Sequence, residues 1–489
     1  MSSAKEPVTR RFGNGLTVLI KEDKSHPVVS LQYWVGTGSM NEGHWQGSGL
    51  SHLLEHLVFK GTAHFSGQEL ARKVQERGGH WNAYTSVNRT VYYIDGPAES
   101  WQIFLNLLTE LVFFPTFPED EMEREKEVVR REMAMYADDP DSVAYQLLMQ
   151  TLYLKHPRRW PVLGERAAFD CLTRQDVLDY HASRYVPNNV VLSIAGDVDA
   201  AEILSHLELL VEDLKSRPLN REPIPHEPHQ FGSRRVRKEF AVPYSKLHLA
   251  WRLPCSAHPD TPALSALSSI LGGGRSARFY EKFHDRLGLV YSIEVHSNQS
   301  ETDEGAFTIS MDVDRAQRDK VRDLVLQELR NLAEEDFTED LKRVCKQTRV
   351  SRLRRRSSAS GVASEMGADW FGSRNLNLSS EWQEAIERVT TEDLHRVCST
   401  WLSSPNVTEV SLDPPGSNAG DEERASASAG TALSEHVLGN GMKVVIREDH
   451  RLPLAYACMA FKAGCRAENE HDAGVTDLMS ECLLKGTST

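Results

Sequence analysis

No stretch of this 489-residue chain approaches the roughly 18 consecutive apolar residues of a membrane-spanning helix, so no such helix is expected. The start, MSSAKEPVTRRFGNGLTVLI, also lacks the apolar core of a secretory signal and enters a strand-like run almost at once. A cytoplasmic location is the default that follows. Cysteine is sparse. The seven residues, at 171, 255, 345, 398, 458, 465 and 482, are odd in number and never spaced C-x-x-C, which argues for reduced thiols over a disulfide framework. Positive charge is short as well, and a formal net charge of -14 disfavours nucleic acid or any other polyanion as partner. One basic run, Arg352 to Arg356 in SRLRRRSS, goes the other way and reads as a solvated helix face or end.

With 40% hydrophobic and 26% charged residues, the composition is that of an ordinary globular chain of two to four domains. Leu16 to Ile20 and Val28 to Val35 are β-branched runs separated by KEDKSHP, and they predict a strand hairpin or meander. Helical spacing follows at 49–62 and 67–76. Gly78 and Gly79 then mark a turn, and the alternation through Thr85, Val87, Thr90, Tyr92 and Ile94 predicts two more strands. Helices are expected over 100–114 and from Pro118 to a stop at Pro140, and VVLSIAGDVD at 190–199 reads as a strand. Helices over an antiparallel sheet make an α+β layer. A proline- and charge-rich stretch from Leu214 to about Arg234 looks like a linker, after which the same order of strands and helices recurs to about Leu402. A second linker, PPGSNAGDEERASASAGT, has the composition of a flexible connector.

Beyond it the beginning of the chain returns. FGNGLTVLIKEDKSHP (12–27) matches LGNGMKVVIREDHRLP (438–453) at a constant offset of 426, and Gly38 and Glu42 match Gly464 and Glu468. After a one-residue slip, GLSHLLEHLVFKGT (49–62) matches GVTDLMSECLLKGT (474–487). The expected organisation is therefore a first domain over 1–230, a second over 231–416, a linker over 417–433 and the truncated start of a third domain over 434–489. Those last residues are too few to bury a core of their own, so they are expected to pack poorly or to dimerise through exposed strand edges.

The 49–62 helix is where chemistry concentrates. Leu50, Leu53, Leu54, Leu57, Val58 and Phe59 make it apolar over most of its circumference, with Ser48 as a plausible cap and Gly61 as a stop. Into this surface the sequence sets His52, Glu55 and His56; the two histidines lie one turn apart, about 6 Å along the axis. Met122, Val129, Met133 and Tyr136 form the apolar stripe of the 118–140 helix, and Glu125 and Glu132 lie on or beside it. Two histidines and Glu132 would make a three-ligand set for Zn²⁺, with Glu55 free to take a proton from water. A pair of hydrogen-bonded core histidines beside a buried Glu ion pair would produce the same short H-x-x-E-H string.

The combination resembles the pitrilysin (insulinase) family of inverted-zincin peptidases, and its processing-peptidase-like branch. H-x-x-E-H is followed by a glutamate 76 residues after His56, and NGL, GGxxNAxT (Gly78 to Thr85), the Glu125/Glu132 pair, DDP and YVPNNVVLSIAGDVD all recur here. The resemblance covers essentially the whole chain. It implies tandem antiparallel-sheet-plus-helix domains, the second inactive, and a zinc endopeptidase that encloses peptides or unfolded segments in a chamber. His52, His56 and Glu132 would hold one Zn²⁺, Glu55 would be the catalytic base, and Glu125 would orient the site. Asn82 and Ala83 would lie on an edge strand that pairs with the substrate backbone. One feature departs from the pattern: Tyr291 is present, but His284 stands seven residues before it where relatives carry Arg, so neither is assigned to catalysis. The chamber is then expected to be closed by a second copy or by a C-terminal half. The alternatives implied are a non-catalytic scaffold subunit or an inactive fragment of a longer peptidase.

Overall fold

The β-branched runs become strands, but not a hairpin. β1 (Val8–Arg11), β2 (Thr17–Glu22), β3 (Val28–Val35), β4 (His80–Thr85), β5 (Thr90–Pro97) and β6 (Val190–Gly196) form one sheet in the order β1-β2-β6-β3-β5-β4. The expected direct pairing of β2 with β3 is replaced by β6, which inserts between them, parallel to β2 and antiparallel to β3. VVLSIAG is buried at all seven positions, so it requires strand neighbours on both edges and cover on both faces, and only the sheet centre offers that. This computed structural model describes residues 6–219, 223–300, 304–402, 405–415 and 434–446, together with positions 459, 475, 476 and 479.

The helices of the first half include α1 (Leu50–Val58), α2 (Gly67–Gln75), α3 (Trp101–Phe113), α4 (Glu119–Asp138) and α5 (Pro140–Leu152). Leucines 50, 53, 54 and 57 of α1 are fully buried against the sheet, where each such side chain contributes about 2 kcal/mol. Pro118 opens α4 above an acidic first turn, and Asp139 and Pro140 stop it and start α5, with the Asp139 carboxylate accepting from Ser142 N at 2.9 Å. Of the expected α4 stripe, Met122 and Val129 are buried, whereas Tyr136 is exposed near the helix end.

A second sheet has the same plan. β7 (Arg234–Glu239), β8 (Ser245–Leu253), β9 (Val290–Asn298), β10 (Gly305–Val313) and β11 (Thr408–Asp413) run in the order β7-β11-β8-β10-β9, and β7 lies parallel to β11 as β2 does to β6. The two halves exchange helices. α5 lays Leu148, Met149 and Leu152 on Ala250, Ala306 and Val410 of the second sheet, while the helix Ala359–Ser373 lays Val362, Ala363 and Met366 on Leu19, Trp34 and Val191 of the first. Gly367 of that helix meets the Trp34 ring so closely that a Cβ would stand 2.3 Å from it. The stretch between the halves is held down too: Glu227 accepts from the N–H groups of Leu154, Lys155 and His156 at 2.7, 2.8 and 3.0 Å.

Residues 1–421 form one compact unit and 422–489 another. In the latter, β12 (Ser434–Val437) and β13 (Lys443–Ile446) make an antiparallel hairpin with Val437 and Val445 exposed. The expected 417–433 linker and nearly all of the 474–487 helix lie outside the described residues.

Candidate metal centre

α1 begins differently from its sequence expectation. Its cap position is Gly49, at φ 74°, and the orphan N–H of Ser51 is satisfied by Glu42 Oε1 at 2.8 Å, not by Ser48. Glu42 is fully buried, and burial pushes its carboxyl up to about 8 despite that hydrogen bond. Below it, the Tyr180 hydroxyl bridges Ser51 Oγ at 2.7 Å and Thr37 Oγ1 at 2.6 Å. The first turn of α1 is thus anchored to the core, and the following turn projects His52, Glu55 and His56.

α4 packs across α1 and brings its carboxylates to them. Glu132 Oε2 lies 3.8 Å from His52 Nε2 and 3.9 Å from His56 Nε2, and one donor atom from each of the three falls within 4.8 Å of the others. The imidazole centroids are 4.7 Å apart. These separations are too long for hydrogen bonds and close to the span of two metal–ligand bonds of about 2.0–2.2 Å. Glu125, two turns back on α4, accepts from His56 Nδ1 at 3.1 Å and pairs with Lys60 Nζ at 2.5 Å. That bond fixes the His56 tautomer with the Nε2 lone pair facing Glu132. Glu55 Oε2 accepts from Thr85 Oγ1, on β4, at 2.5 Å.

The electrostatics agree with a cation between these groups. Burial, and then repulsion from His56, hold His52 down at about 3, so its imidazole is neutral at any physiological pH. Its Nδ1 is buried without a hydrogen-bond partner, and its Nε2 is the nitrogen that faces Glu132. Burial opposes protonation of His56 too, but the Glu125 hydrogen bond and the charges of Glu55, Glu125 and Glu132 outweigh it and raise its pKa. Burial raises Glu55, only partly offset by the Thr85 hydrogen bond and by His56. Burial is outweighed at Glu125, which His56 and Lys60 hold below the usual carboxylate range. An acid-rich pocket facing two imidazoles, one of them neutral, suits a divalent cation of zinc type.

β4 is the free edge of the first sheet, with β5 its one strand neighbour. Asn82 is exposed there and Ala83 half-buried, and Asn82 Oδ1 accepts from Ala83 N at 2.8 Å. Tyr291 and His284 lie in the second half, Tyr291 packed 5.3 Å from the Tyr244 ring and His284 stacked on Tyr280. Sequence reading missed Glu42, Lys60 and Thr85. The repeat carried a trace of the first two, because Glu468 and Lys485 stand at the matching positions of the copy.

Three donor atoms within 4.8 Å of one another, beside the Glu55 carboxylate that Thr85 tethers, define a candidate divalent-metal centre on a two-sheet α+β scaffold. The chain belongs to the insulinase family, peptidase family M16: its family description, "Insulinase (Peptidase family M16)", matches residues 17–166, and "Peptidase M16 inactive domain" matches 172–347. It is similar to an uncharacterized zinc protease of Rickettsia felis, 27% identical over 406 residues, spanning 81% of this chain and 94% of the relative. A zinc protease of Helicobacter pylori is 26% identical over 418 residues, 84% of this chain and 93% of that one. Among solved structures, a protease from Helicobacter pylori superposes with a TM-score of 0.77 at 26% identity, covering 84% of this chain and all of that one. A Pseudomonas fluorescens peptidase M16 inactive domain shares the fold, with a TM-score of 0.77 at 21% identity over 84% of this chain and 98% of the other. No helix among the described residues is long and apolar enough to cross a membrane.

Proposed function

We propose that the chain is a zinc-dependent endopeptidase in which His52, His56 and Glu132 hold one Zn²⁺ and Glu55 is the general base. The observation that carries this reading is the approach of Glu132 to both imidazoles at 3.8 and 3.9 Å with Glu55 tethered alongside. Bound zinc supplies Lewis acidity, polarising a carbonyl and bringing water within reach of deprotonation near neutral pH. The protein does the rest. With Oε2 of Glu55 occupied by Thr85, Oε1 is left to take a proton from water and later to deliver it to the leaving amine. Glu125, itself fixed by Lys60, keeps His56 in the liganding tautomer. A peptide strand added to the β4 edge would replace the Asn82 Oδ1 bond to Ala83 N with its own carbonyl, which aligns its backbone beside Glu55.

The same reading takes 1–230 as the catalytic domain and 231–416 as its inactive counterpart. Substrates are peptides or unfolded segments, the location is cytoplasmic, and the chamber is closed by a second copy or a C-terminal half. A second reading rests on His284 in place of the arginine of relatives: the chain binds zinc but turns over slowly unless another half completes the site. Hydrolysis of a quenched fluorescent peptide, with and without chelator, together with zinc content, decides among these. Chelator-sensitive cleavage lost in Glu55→Gln supports the enzyme, one zinc per chain without turnover supports the second reading, and absence of zinc overturns both.

A further inference from the structure

A cavity of about 910 Å³ contains none of the residues of the metal centre. It opens where the halves of the first unit meet. Its walls come from the end of β1 (Arg11), the 36–41 turn, the start of β6, the strap at 223–227, Cys255, Glu304 and the C-terminal end of the helix Ala359–Ser373. A pocket of this size takes a small organic molecule.

Its polar groups are unequally committed. Both wall carboxylates are already engaged: Glu227 accepts from three backbone N–H groups, and Glu304 pairs with Arg252 at 2.9 Å. The capacity left over belongs to donors. Arg11 and Arg374 form no ion pair among the described residues, the Trp370 indole N–H is buried with no acceptor, and Asn41 uses its Oδ1 on Gly38 N, leaving its NH₂. The two guanidinium groups sense one another, since burial and then the charge of Arg11 hold Arg374 below the usual arginine range. Arg374 also ends its helix at φ 59°, a left-handed position that strains a residue with a side chain. Local geometry would favour glycine there, and the sequence sets an arginine facing another. Trp370 and Phe371 add aromatic surface to the same wall.

We propose that this cavity binds a small organic oxyanion, a doubly charged phosphate or carboxylate group on an aromatic or apolar body, with Arg11 and Arg374 clasping the charge and Trp370 donating its N–H. Arginine forks match the paired oxygens of either group. The site neither depends on zinc nor follows from the peptidase reading.

The test is calorimetric titration of the full chain with phenyl phosphate, phthalate and inorganic phosphate at physiological salt. At least one aromatic dianion should bind tenfold or more tightly than inorganic phosphate; phenyl phosphate alone assigns a phosphate ligand, phthalate alone a carboxylate, and both the shared chemistry. The double variant Arg11→Gln/Arg374→Asn, whose asparagine tolerates the left-handed backbone, should weaken binding at least tenfold with an unchanged melting midpoint. Trp370→Phe should weaken it a few-fold. An anion on the zinc site would survive the double variant, so unchanged affinity there overturns the proposal, as does absence of binding by both aromatic dianions. Should the double variant fail to fold, Arg11→Gln alone on its exposed strand must still weaken binding threefold, and unchanged affinity is again fatal.

Discussion

α1 in the first half and the helix Thr261–Gly272 in the second occupy the same place: each follows the central antiparallel strand, β3 or β8, and packs beneath its own sheet. Both bury an almost continuous apolar surface, Leu50, Leu53, Leu54 and Leu57 in one, Leu264, Leu267, Ile270 and Leu271 in the other. Where α1 adds His52, Glu55 and His56, the second helix has serines whose hydroxyls bond back into their own turn, Ser268 Oγ to Ser265 O at 2.9 Å and Ser269 Oγ to the same oxygen at 3.1 Å. The partner helices diverge likewise. α4 brings buried Glu125 and nearby Glu132, whereas the helix Thr338–Arg355 presents Lys346, Arg349 and Arg354 to solvent. Packing beneath the second sheet is therefore met with no imidazole or acid on the helix Thr261–Gly272, and the polar triplet of α1 calls for a chemical cause.

The comparison breaks most visibly at Glu55. Glu55→Gln should lower peptide hydrolysis by about 10²–10⁴-fold with zinc still bound, while Ser268→Ala leaves the rate within twofold, both read by initial rates and metal content. Removing zinc from the wild type, or substituting His52→Ala, should increase amide exchange in α1 and α4 and leave Thr261–Gly272 unchanged. Loss of about 2.7 kcal/mol is expected when free zinc had stood a hundredfold above its Kd. Equal loosening of both halves would sink the assignment of the metal to the first. Glu125→Gln should weaken zinc binding roughly 10–100-fold, measured by competition with a chromophoric chelator.

Two smaller effects probe what the halves share. Gly367→Ala drives a methyl into Trp34 across the exchanged helices and should cost about 1–3 kcal/mol in urea unfolding. Each half also buries a histidine whose pKa burial lowers to about 4, His181 in the first and His248 in the second. The unfolded chain, with histidine near about 6.5, binds protons that these folded groups refuse, so stability falls as pH drops below 6.5 and continues to fall toward 4. From pH 6.5 to 5.5 each should remove at most about 1 kcal/mol, and His248→Asn should flatten that slope in the urea midpoint.

Much of the candidate site was legible because it is written in helical spacing. His52, Glu55 and His56 share a helix, Glu125 and Glu132 share another, and both helices carry their own start and stop signals in Gly61, Pro118 and Pro140. Glu42, Lys60 and Thr85 were not legible, because each acts across a contact that no local period encodes: a turn capping a helix, a lysine reaching a second helix, a strand hydroxyl holding a carboxylate.

Sequence alone thus determined which segments are helix or strand, which faces are apolar, and which residue types could ligate a metal, since these follow from side-chain chemistry at periods of two and 3.6 residues. Tertiary structure decided that β6 separates β2 from β3 and that α5 and Ala359–Ser373 trade sheets. It also decided that Glu132 stands opposite the two histidines and that Arg11 faces the cavity with Arg374. The physical reason is that burial is non-directional: an apolar face specifies that it must be covered, and only the competition among all faces in the folded chain selects what covers it.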